Sequence, residues 1–260
     1  MGERVAMAMD VRLMNITAQL LLVLAALLAL GWVARWVAYQ PLFVIRGITV
    51  LGDVKHNNAA TLRINALPYL KGGFFDLDLN QARTVFEAVP WVRKAVVRRV
   101  FPNRLRVELE EQKVVAYWGH EGELRLVNSW GEVFEANIGE VEQEDLPRLL
   151  GPPEQAAQIL AMYQWLRPQF AAAGLKLQFL ELSNQGSWKV ALGKRAWVQL
   201  GSGSQADVQA RTERFLRTLS QVLSRYRRTV NDLEAADLRH DNAYALRLRG
   251  VTTQVAAHAS

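Results

Sequence analysis

Hydrophobic residues are distributed unevenly along the chain, and the longest apolar run lies near its N-terminus. Residues 13–34 include no ionisable side chain. A helix of that length, rising about 1.5 Å per residue, reaches roughly 33 Å and can cross a hydrocarbon core of about 30 Å. Trp32, Trp36 and Tyr39 lie around its C-terminal end, at positions typical of interfacial aromatic side chains. The pattern predicts a single transmembrane helix over residues 13–36.

Two other structures compete with a membrane anchor as explanations of this run. A cleaved signal peptide has an apolar core of only about 7–15 residues followed by small residues at its cleavage site, whereas Arg35 and Trp36 follow this longer core. A buried helix of a water-soluble protein rarely has an uninterrupted apolar surface. Arginines lie on both sides of the run, so charge hardly discriminates its orientation. The simplest topology leaves residues 1–12 as a cytoplasmic tail.

Residues 43–112 show a change of pattern that predicts a small α+β domain. A β-branched run over 44–50 predicts a strand, and apolar spacing predicts helices over about 59–70 and 79–88. Apolar and charged residues then alternate after the turn at Pro102-Asn103, which predicts a β-hairpin. The order strand, helix, helix, strand, strand gives a compact unit with its helices on one face of a sheet.

Residues 113–250 predict a second, mostly antiparallel β domain with flanking helices. Strands are predicted over 114–119, 124–127, 133–136, 177–182, 188–192 and 197–200, with a terminal strand after Asp241-Asn242. Helices are predicted over 153–167, ended or kinked by Pro168, and over 205–226, while 137–153 is predicted to be a loop. Residues 251–260 are predicted to be a flexible tail.

Composition and motifs argue against an enzyme. Cysteine is absent from the 260 residues, which excludes disulfides, thiol catalysis and thiolate metal sites. The four histidines have no metal-ligand spacing, and the serine-nucleophile motifs Gly-x-Ser-x-Gly and Ser-x-x-Lys are missing. The turn at Gly201-Ser202-Gly203-Ser204 is similar to a dinucleotide loop but lacks the βαβ context. We therefore expect no catalytic residue, cofactor, metal or small-molecule substrate.

The net charge of +6 includes a basic cluster in the predicted hairpin. Its members are Arg93, Lys94, Arg98, Arg99, Arg104 and Arg106. The cluster is either a solvated face of the hairpin or a surface for anionic lipid or an acidic partner. Nucleic acid is not expected as a partner on the far side of a membrane.

Several sequence segments resemble the FtsQ/DivIB family of bacterial division proteins. They are Phe43-Val44-Ile45-Arg46-Gly47-Ile48, Pro90-Trp91-Val92-Arg93-Lys94-Ala95, Phe101-Pro102 and the segment 237–247. The first three resemble the family's POTRA domain, here residues 43–112, and the last resembles its C-terminal signature. His240 and Ala243 depart from this signature, which commonly has an aromatic residue and a glycine there.

The resemblance implies a non-enzymatic scaffold of the divisome. Such a protein crosses the inner membrane once with type II topology, holds its C-terminal domains in the periplasm at the division septum, and supports septal peptidoglycan synthesis. Its implied partners are FtsB and FtsL, with FtsB added as a strand to the terminal strand of the second domain. The implied contact residues are Arg239, which would meet an acid of the partner, and His240, Asn242, Ala243, Tyr244, Leu246 and Arg247.

Two alternatives from other classes are an anchored cell-wall enzyme and a POTRA-bearing export chaperone. An enzyme needs a nucleophile or an acid–base pair in a pocket, and the motifs offer no candidate. An export component would normally carry several POTRA units or a barrel, and the sequence contains no internal repeat.

Overall fold

The apolar run forms the C-terminal two-thirds of one long helix. The computed structural model describes residues 3–38, 43–52, 55–57, 59–70, 72–141, 145–193, 195–240 and 243–251. Helix α1 covers Glu3–Ala38, and its segment Met14–Val37 has a mean hydropathy of 2.3 with no buried residue. An apolar surface of this size is unfavourable in water, so the helix fits the predicted single membrane span.

The chain divides into two units, Met1–Glu111 and Gln112–Ser260. After α1, the first unit contains strand β1 (Gly47–Gly52), helices α2 (Ala59–Ala66) and α3 (Leu79–Glu87), and strands β2 (Val92–Val100) and β3 (Arg104–Glu111). The strand order is β1-β3-β2, with β1 parallel and β2 antiparallel to β3. This β-α-α-β-β order confirms the predicted POTRA fold. Helix α2 is shorter than expected, because a 3₁₀ turn at Leu67–Tyr69 follows it.

The core of this unit follows from alternation in β3. Leu105, Val107 and Leu109 point inward and are buried, and they pack with Phe86 of α3. Helix α3 is capped by Asp78, whose carboxylate accepts the backbone N–H groups of Asn80 and Gln81. Such a cap supplies partners for N–H groups that the first helical turn leaves without one.

Glu111, at the end of β3, is a buried carboxylate that fixes the loop after β1. It accepts the backbone N–H groups of Lys55, His56 and Asn57 at 2.9, 3.1 and 2.9 Å. The His56 ring stacks on Trp91, with centroids 4.0 Å apart. A buried charge is tolerated only when hydrogen bonds compensate its lost hydration, and three charge-assisted bonds do so here.

The second unit is built on a nine-stranded mixed sheet. Its strands are β4 (Val114–Trp118), β5 (Arg125–Asn128), β6 (Val133–Phe134), β7 (Arg148–Leu150), β8 (Leu177–Leu182), β9 (Trp188–Leu192), β10 (Ala196–Gly201), β11 (Leu233–Asp237) and β12 (Ala245–Leu248). Their order is β12-β11-β10-β9-β8-β7-β4-β5-β6. The pairs β4–β7, β7–β8 and β10–β11 are parallel and the others antiparallel, which agrees with the predicted mostly antiparallel domain.

Two of these strands are absent from the sequence-based prediction. The pattern predicts a loop over residues 137–153, yet β7 lies within them and joins β4 to β8, with Leu149 fully buried. Strand β7 is only three residues long and lies between Pro147 and Pro152. Its sequence is therefore too short to show an alternation of apolar and polar residues. Strand β11 is rich in alanine and acids, which have low strand propensity, so its tertiary pairing overrides local preference.

Two helices cover one face of the sheet. Helix α4 (Ala156–Ala172) contacts β7 and β8, and helix α5 (Gln205–Arg225) contacts β10. Helix α4 does not end at Pro168 but continues to Ala172, because burial of Phe170 offsets the hydrogen bond that proline removes. Helix α5 begins with a capping box formed by Ser204 and Asp207. The apolar spacing of the predicted helix over 205–226 places Tyr226 on its buried face, but the helix ends at Arg225 and Tyr226 is exposed beyond it.

Candidate partner-binding edge

Strand β12 forms one edge of the nine-stranded sheet. It pairs antiparallel with β11, and no other described strand lies on its second side. Backbone N–H and C=O groups along such an edge are available to another chain. The terminal strand, to which the family resemblance implies strand addition, thus lies at an edge of the sheet.

Apolar alternation holds β12 in register. Leu248 is buried in the core, while Tyr244 and Leu246 are half-buried and pack against it. After the strand, the backbone N–H of Arg249 donates to the carbonyl of Asp232 at 2.8 Å. The inward side chains thus anchor one face of the strand and leave its outer edge accessible.

Tyr244 connects the start of this edge to helix α5. Its ring meets the Phe215 ring edge-on, with centroids 5.3 Å apart. Its hydroxyl lies 2.6 Å from the Thr218 hydroxyl, at hydrogen-bond distance. Tyr244 therefore orients the strand as well as contributing to the surface.

A groove runs between α5 and β12, beside the exposed edge. Its volume is about 520 Å³, and the apolar part of its lining is formed by Val222, Tyr226, Tyr244, Leu246 and Leu248. The exposed Tyr226 ring forms part of this surface. An apolar groove next to an unpaired strand edge can receive apolar side chains of a peptide bound along the strand.

Arg239 does not stand alone, because it pairs with Asp237 of its own chain. Its Nε lies 2.9 and 3.0 Å from the two carboxylate oxygens of Asp237, and its Nη2 lies 2.6 Å from Oδ2. These hydrogen bonds, with a smaller Coulombic effect, lower the pKa of Asp237 below its usual value and raise the pKa of Arg239. Arg239 is 62% exposed, and its five N–H donors leave capacity for a second acid.

The glycine-rich phrase before α5 is part of the support for Arg239. Gly201 has φ +84°, and a Cβ there would lie 3.3 Å from Arg239 Cγ. Arg211 donates through Nε to the Leu200 carbonyl at 3.1 Å and through Nη2 to the Ser202 carbonyl. Ser204 caps the helix. The end of β10, the turn and the cap of α5 therefore explain why this segment is rich in glycine and serine.

The remaining predicted contact residues fall into two groups. His240 and Ala243 are exposed in the connection between β11 and β12, and Asn242 lies outside the described residues. Arg247 is exposed on β12, with its Nε 3.6 Å from Glu234 Oε2. The fold thus places Arg247 with Tyr244 and Leu246 around one edge.

Sequence reasoning misses several residues of this surface. It gives no role in this surface to Phe215, Thr218, Asp237 or Glu234. The helical periodicity of α5 places Phe215 and Thr218 near one another, but only the register of β11 and β12 shows which strand residues meet them. The Glu234–Arg247 contact likewise depends on the pairing of Ala235 with Arg247.

The surface has the chemistry of peptide binding. It combines unpaired backbone groups, an apolar groove and exposed guanidinium groups, and among the described residues no group of three or more His, Asp or Glu could hold a metal ion. With its apolar helix, POTRA-type unit and mixed sheet, the chain has the architecture of a membrane-anchored binding protein.

Comparison with known proteins identifies the family. The family model described as "POTRA domain, FtsQ-type" matches residues 43–112, and "Cell division protein FtsQ/DivIB, C-terminal" matches residues 116–239. The chain is 37% identical to the "Cell division protein FtsQ" of Thiomonas arsenitoxydans over 94% of its length and 89% of the relative. It is also 37% identical to that of Burkholderia pseudomallei, over 93% of this chain and 94% of the relative. The chain belongs to the FtsQ/DivIB family of cell division proteins, as its phrases predicted.

Proposed function

We propose that this cell division protein is a non-enzymatic, membrane-anchored scaffold that binds FtsB and FtsL and thereby supports septal peptidoglycan synthesis. The proposed topology has a cytoplasmic tail (1–12), an inner-membrane helix (13–36), and periplasmic POTRA (43–112) and β (113–250) domains at the septum, with a flexible tail (251–260). The observation that carries the proposal is the open edge of β12 beside an apolar groove.

The edge supplies only part of the binding energy. Strand β12 has four residues, Ala245–Leu248, and alternate residues direct their backbone groups outward. A few added hydrogen bonds, each worth about 1 kcal/mol net, fall well short of the roughly 8 kcal/mol of micromolar affinity. Burial of one or two large apolar side chains in the groove adds about 1.5–3 kcal/mol each. The groove is therefore as necessary as the edge.

Charged groups around the strand supply selectivity. Arg239 and Arg247 are both exposed, and each already lies near an acid of its own chain. A partner segment with a carboxylate near Arg239 gains a second, charge-assisted contact, whereas a basic segment is repelled. We propose the terminal segment of FtsB as the added strand, with FtsL held in the same complex.

Amide hydrogen exchange on the full chain in nanodiscs, with and without the FtsB C-terminal segment, tests the proposed mode. We expect alternate amides of residues 245–248 to gain protection, because only outward N–H groups acquire new partners. Amides of β6, at the opposite edge of the sheet, serve as the internal control. Binding of FtsB without added protection in β12 would contradict the proposal.

A pair of matched variants tests the groove. Tyr226→Lys places a charge in the groove, and Tyr69→Lys makes the same change at an exposed tyrosine of the first unit. We expect calorimetric titration to show at least tenfold weaker FtsB binding for Tyr226→Lys and unchanged binding for Tyr69→Lys.

No specific observation favours the anchored cell-wall enzyme or the export chaperone.

A further inference from the structure

Four phenylalanines form a cluster at one end of the POTRA sheet. Phe43 lies 4.9 Å from Phe75 and 6.2 Å from Phe101, and Phe74 lies 5.2 and 6.1 Å from the same two rings, all between centroids. Backbone hydrogen bonds from Phe74 to Phe43 and from Arg46 to Asn103 join the three segments. Phe74 is buried, but Phe75 and Phe101 are 54% and 71% exposed. This cluster therefore supports an apolar surface that the unit itself leaves uncovered.

Positive charge is concentrated at the same end of the sheet. On β3, the outward side chains near the turn are Arg104 and Arg106, and the next outward side chain is Glu108. At roughly 3.3 Å per residue, Glu108 lies about 13 Å along the strand from Arg104. Arg98 pairs with Arg106 in register, and its Nη1 lies 3.7 Å from Glu108 Oε1. The exposed face is thus basic beside the aromatic cluster and mixed in charge away from it.

Among the described residues, two acids close to the cluster in sequence, Asp76 and Asp78, accept backbone N–H groups of their own segment. The Asp76 carboxylate accepts the Gly73 N–H at 2.6 Å. The Asp78 carboxylate accepts two N–H groups at the start of α3. Both are exposed, but neither lies on the arginine-bearing strand. The cluster and the arginines together present apolar and cationic groups side by side.

The covalent chain keeps this surface close to the bilayer. Phe43 is five residues beyond Ala38, the end of α1, and a fully extended chain spans at most about 3.6 Å per residue, or roughly 18 Å. The headgroup layer on each side of the hydrocarbon core is itself several ångströms thick. A tether this short raises the effective concentration of the surface at the membrane, so even a weak contact is occupied.

We propose that the end of the POTRA domain formed by Phe75, Phe101 and Arg104 docks on the anionic phospholipid surface from which the chain emerges. Exposed phenyl rings enter the boundary between headgroups and acyl chains, as Phe side chains of interfacial amphipathic segments do, and the arginines contact lipid phosphates. The inference rests on the membrane anchor of the proposed function but not on the binding of FtsB. Docking would fix the orientation of the first unit relative to the bilayer.

Site-directed spin labelling of the full chain tests this inference, and the absence of native cysteine permits single labels. Nitroxides are attached at three positions, in nanodiscs with phosphatidylglycerol or with phosphatidylcholine alone. At Phe101→Cys the apolar label takes the place of the phenyl ring, while Phe75 and Arg104 are kept. The other two positions are Ile64→Cys (74% exposed on α2) and Leu24→Cys in the anchor. The ratio of each label's accessibility to oxygen and to a water-soluble nickel chelate measures the depth of the label in the bilayer. With phosphatidylglycerol, we expect the label at 101 in the headgroup layer and the label at 64 in water.

A charge reversal separates electrostatic docking from simple proximity. Arg104→Glu should lower the ratio of docked to undocked label at 101 by about tenfold. Arg217→Glu, the same change at an exposed site on α5, should leave the ratio unchanged. Circular dichroism of each variant verifies that it is folded.

Each contrary result has a distinct meaning. A label at 101 as accessible to the chelate as the label at 64, with position 24 in the bilayer, overturns docking but leaves the anchor intact. Equal depth in both lipids overturns the anionic-headgroup contact. Protection that requires FtsB identifies a protein partner and overturns the inference, and a water-exposed label at 24 overturns the anchor as well.

Discussion

A charge swap between Asp237 and Arg239 distinguishes a direct partner contact from an effect within the chain. Arg239→Glu removes a bidentate pair and places two carboxylates side by side. The pair is exposed by 62% on the arginine and 27% on the aspartate, so solvent screens it and its contribution to the free energy of unfolding is small. With the new repulsion between two carboxylates, we expect Arg239→Glu to lower the free energy of unfolding measurably but modestly.

We expect Arg239→Glu to reduce the affinity for the partner more than it reduces the free energy of unfolding. Changing an attraction into a repulsion about 4 Å from a partner acid costs roughly 2 kcal/mol in water, or about 30-fold in affinity. The double variant Asp237→Arg/Arg239→Glu restores an ion pair within the chain. It still lacks the bond at 3.1 Å from the Arg239 backbone N–H to Asp237, so its stability should return to within about 1 kcal/mol of the parent.

Calorimetric titration with the FtsB segment, alongside urea unfolding of the same variants, provides the readout. We expect the swap to rescue stability but not affinity, because a partner acid would then face a carboxylate at position 239 in place of a cation. Arg195→Glu, at an exposed turn, controls for net charge. Full recovery of affinity by the swap would refute the partner contact and show that Arg239 acts through Asp237.

Three further predictions concern the two units separately. Glu111→Ala leaves three backbone donors without their acceptor and should destabilise the POTRA unit by about 3 kcal/mol, seen as faster amide exchange at 55–57; Glu111→Gln should cost less. Tyr244→Phe and Thr218→Val should each lower the unfolding free energy by about 1 kcal/mol in urea, and the double variant should cost less than their sum. Hydrogen bonds from the N-cap serine lower the pKa of Asp207 below its usual 3.8, so its stabilisation is present above pH 3.8 and lost as the pH falls through the lower folded-state pKa. The stability difference between the parent and Asp207→Asn should therefore shrink below about pH 4; a constant difference would contradict this.

Much of the fold could be predicted because local patterns decide it. The helix over Met14–Val37, the alternation of Leu105, Val107 and Leu109, and the cap at Ser204 are properties of short segments. Strand β7 and the continuation of α4 past Pro168 could not be predicted in this way, because their stability comes from the buried Leu149 and Phe170. Distant packing, not local propensity, decides these elements.

The candidate edge was predictable only in outline. The family resemblance pointed to residues 239–247, and the terminal position of the strand suggested an edge. The Tyr244–Thr218 hydrogen bond and the place of Tyr226 in the groove required the packing of α5 against the residues around β12. The pairing of Arg239 with Asp237, two residues apart, required the backbone path of the β11–β12 connection. Side-chain partners across two elements depend on register and crossing, which single-segment patterns do not encode.

The three residues of β7 have a mechanical consequence. Among the described strands, every backbone ladder between the block β4–β6 and the block β8–β12 passes through Arg148–Leu150. A neighbour that pulls on β12 therefore loads this narrow seam, and the sheet should part there first, before either block unravels. Under tension, the sheet would separate at β7 while β12 remains bound to the neighbour.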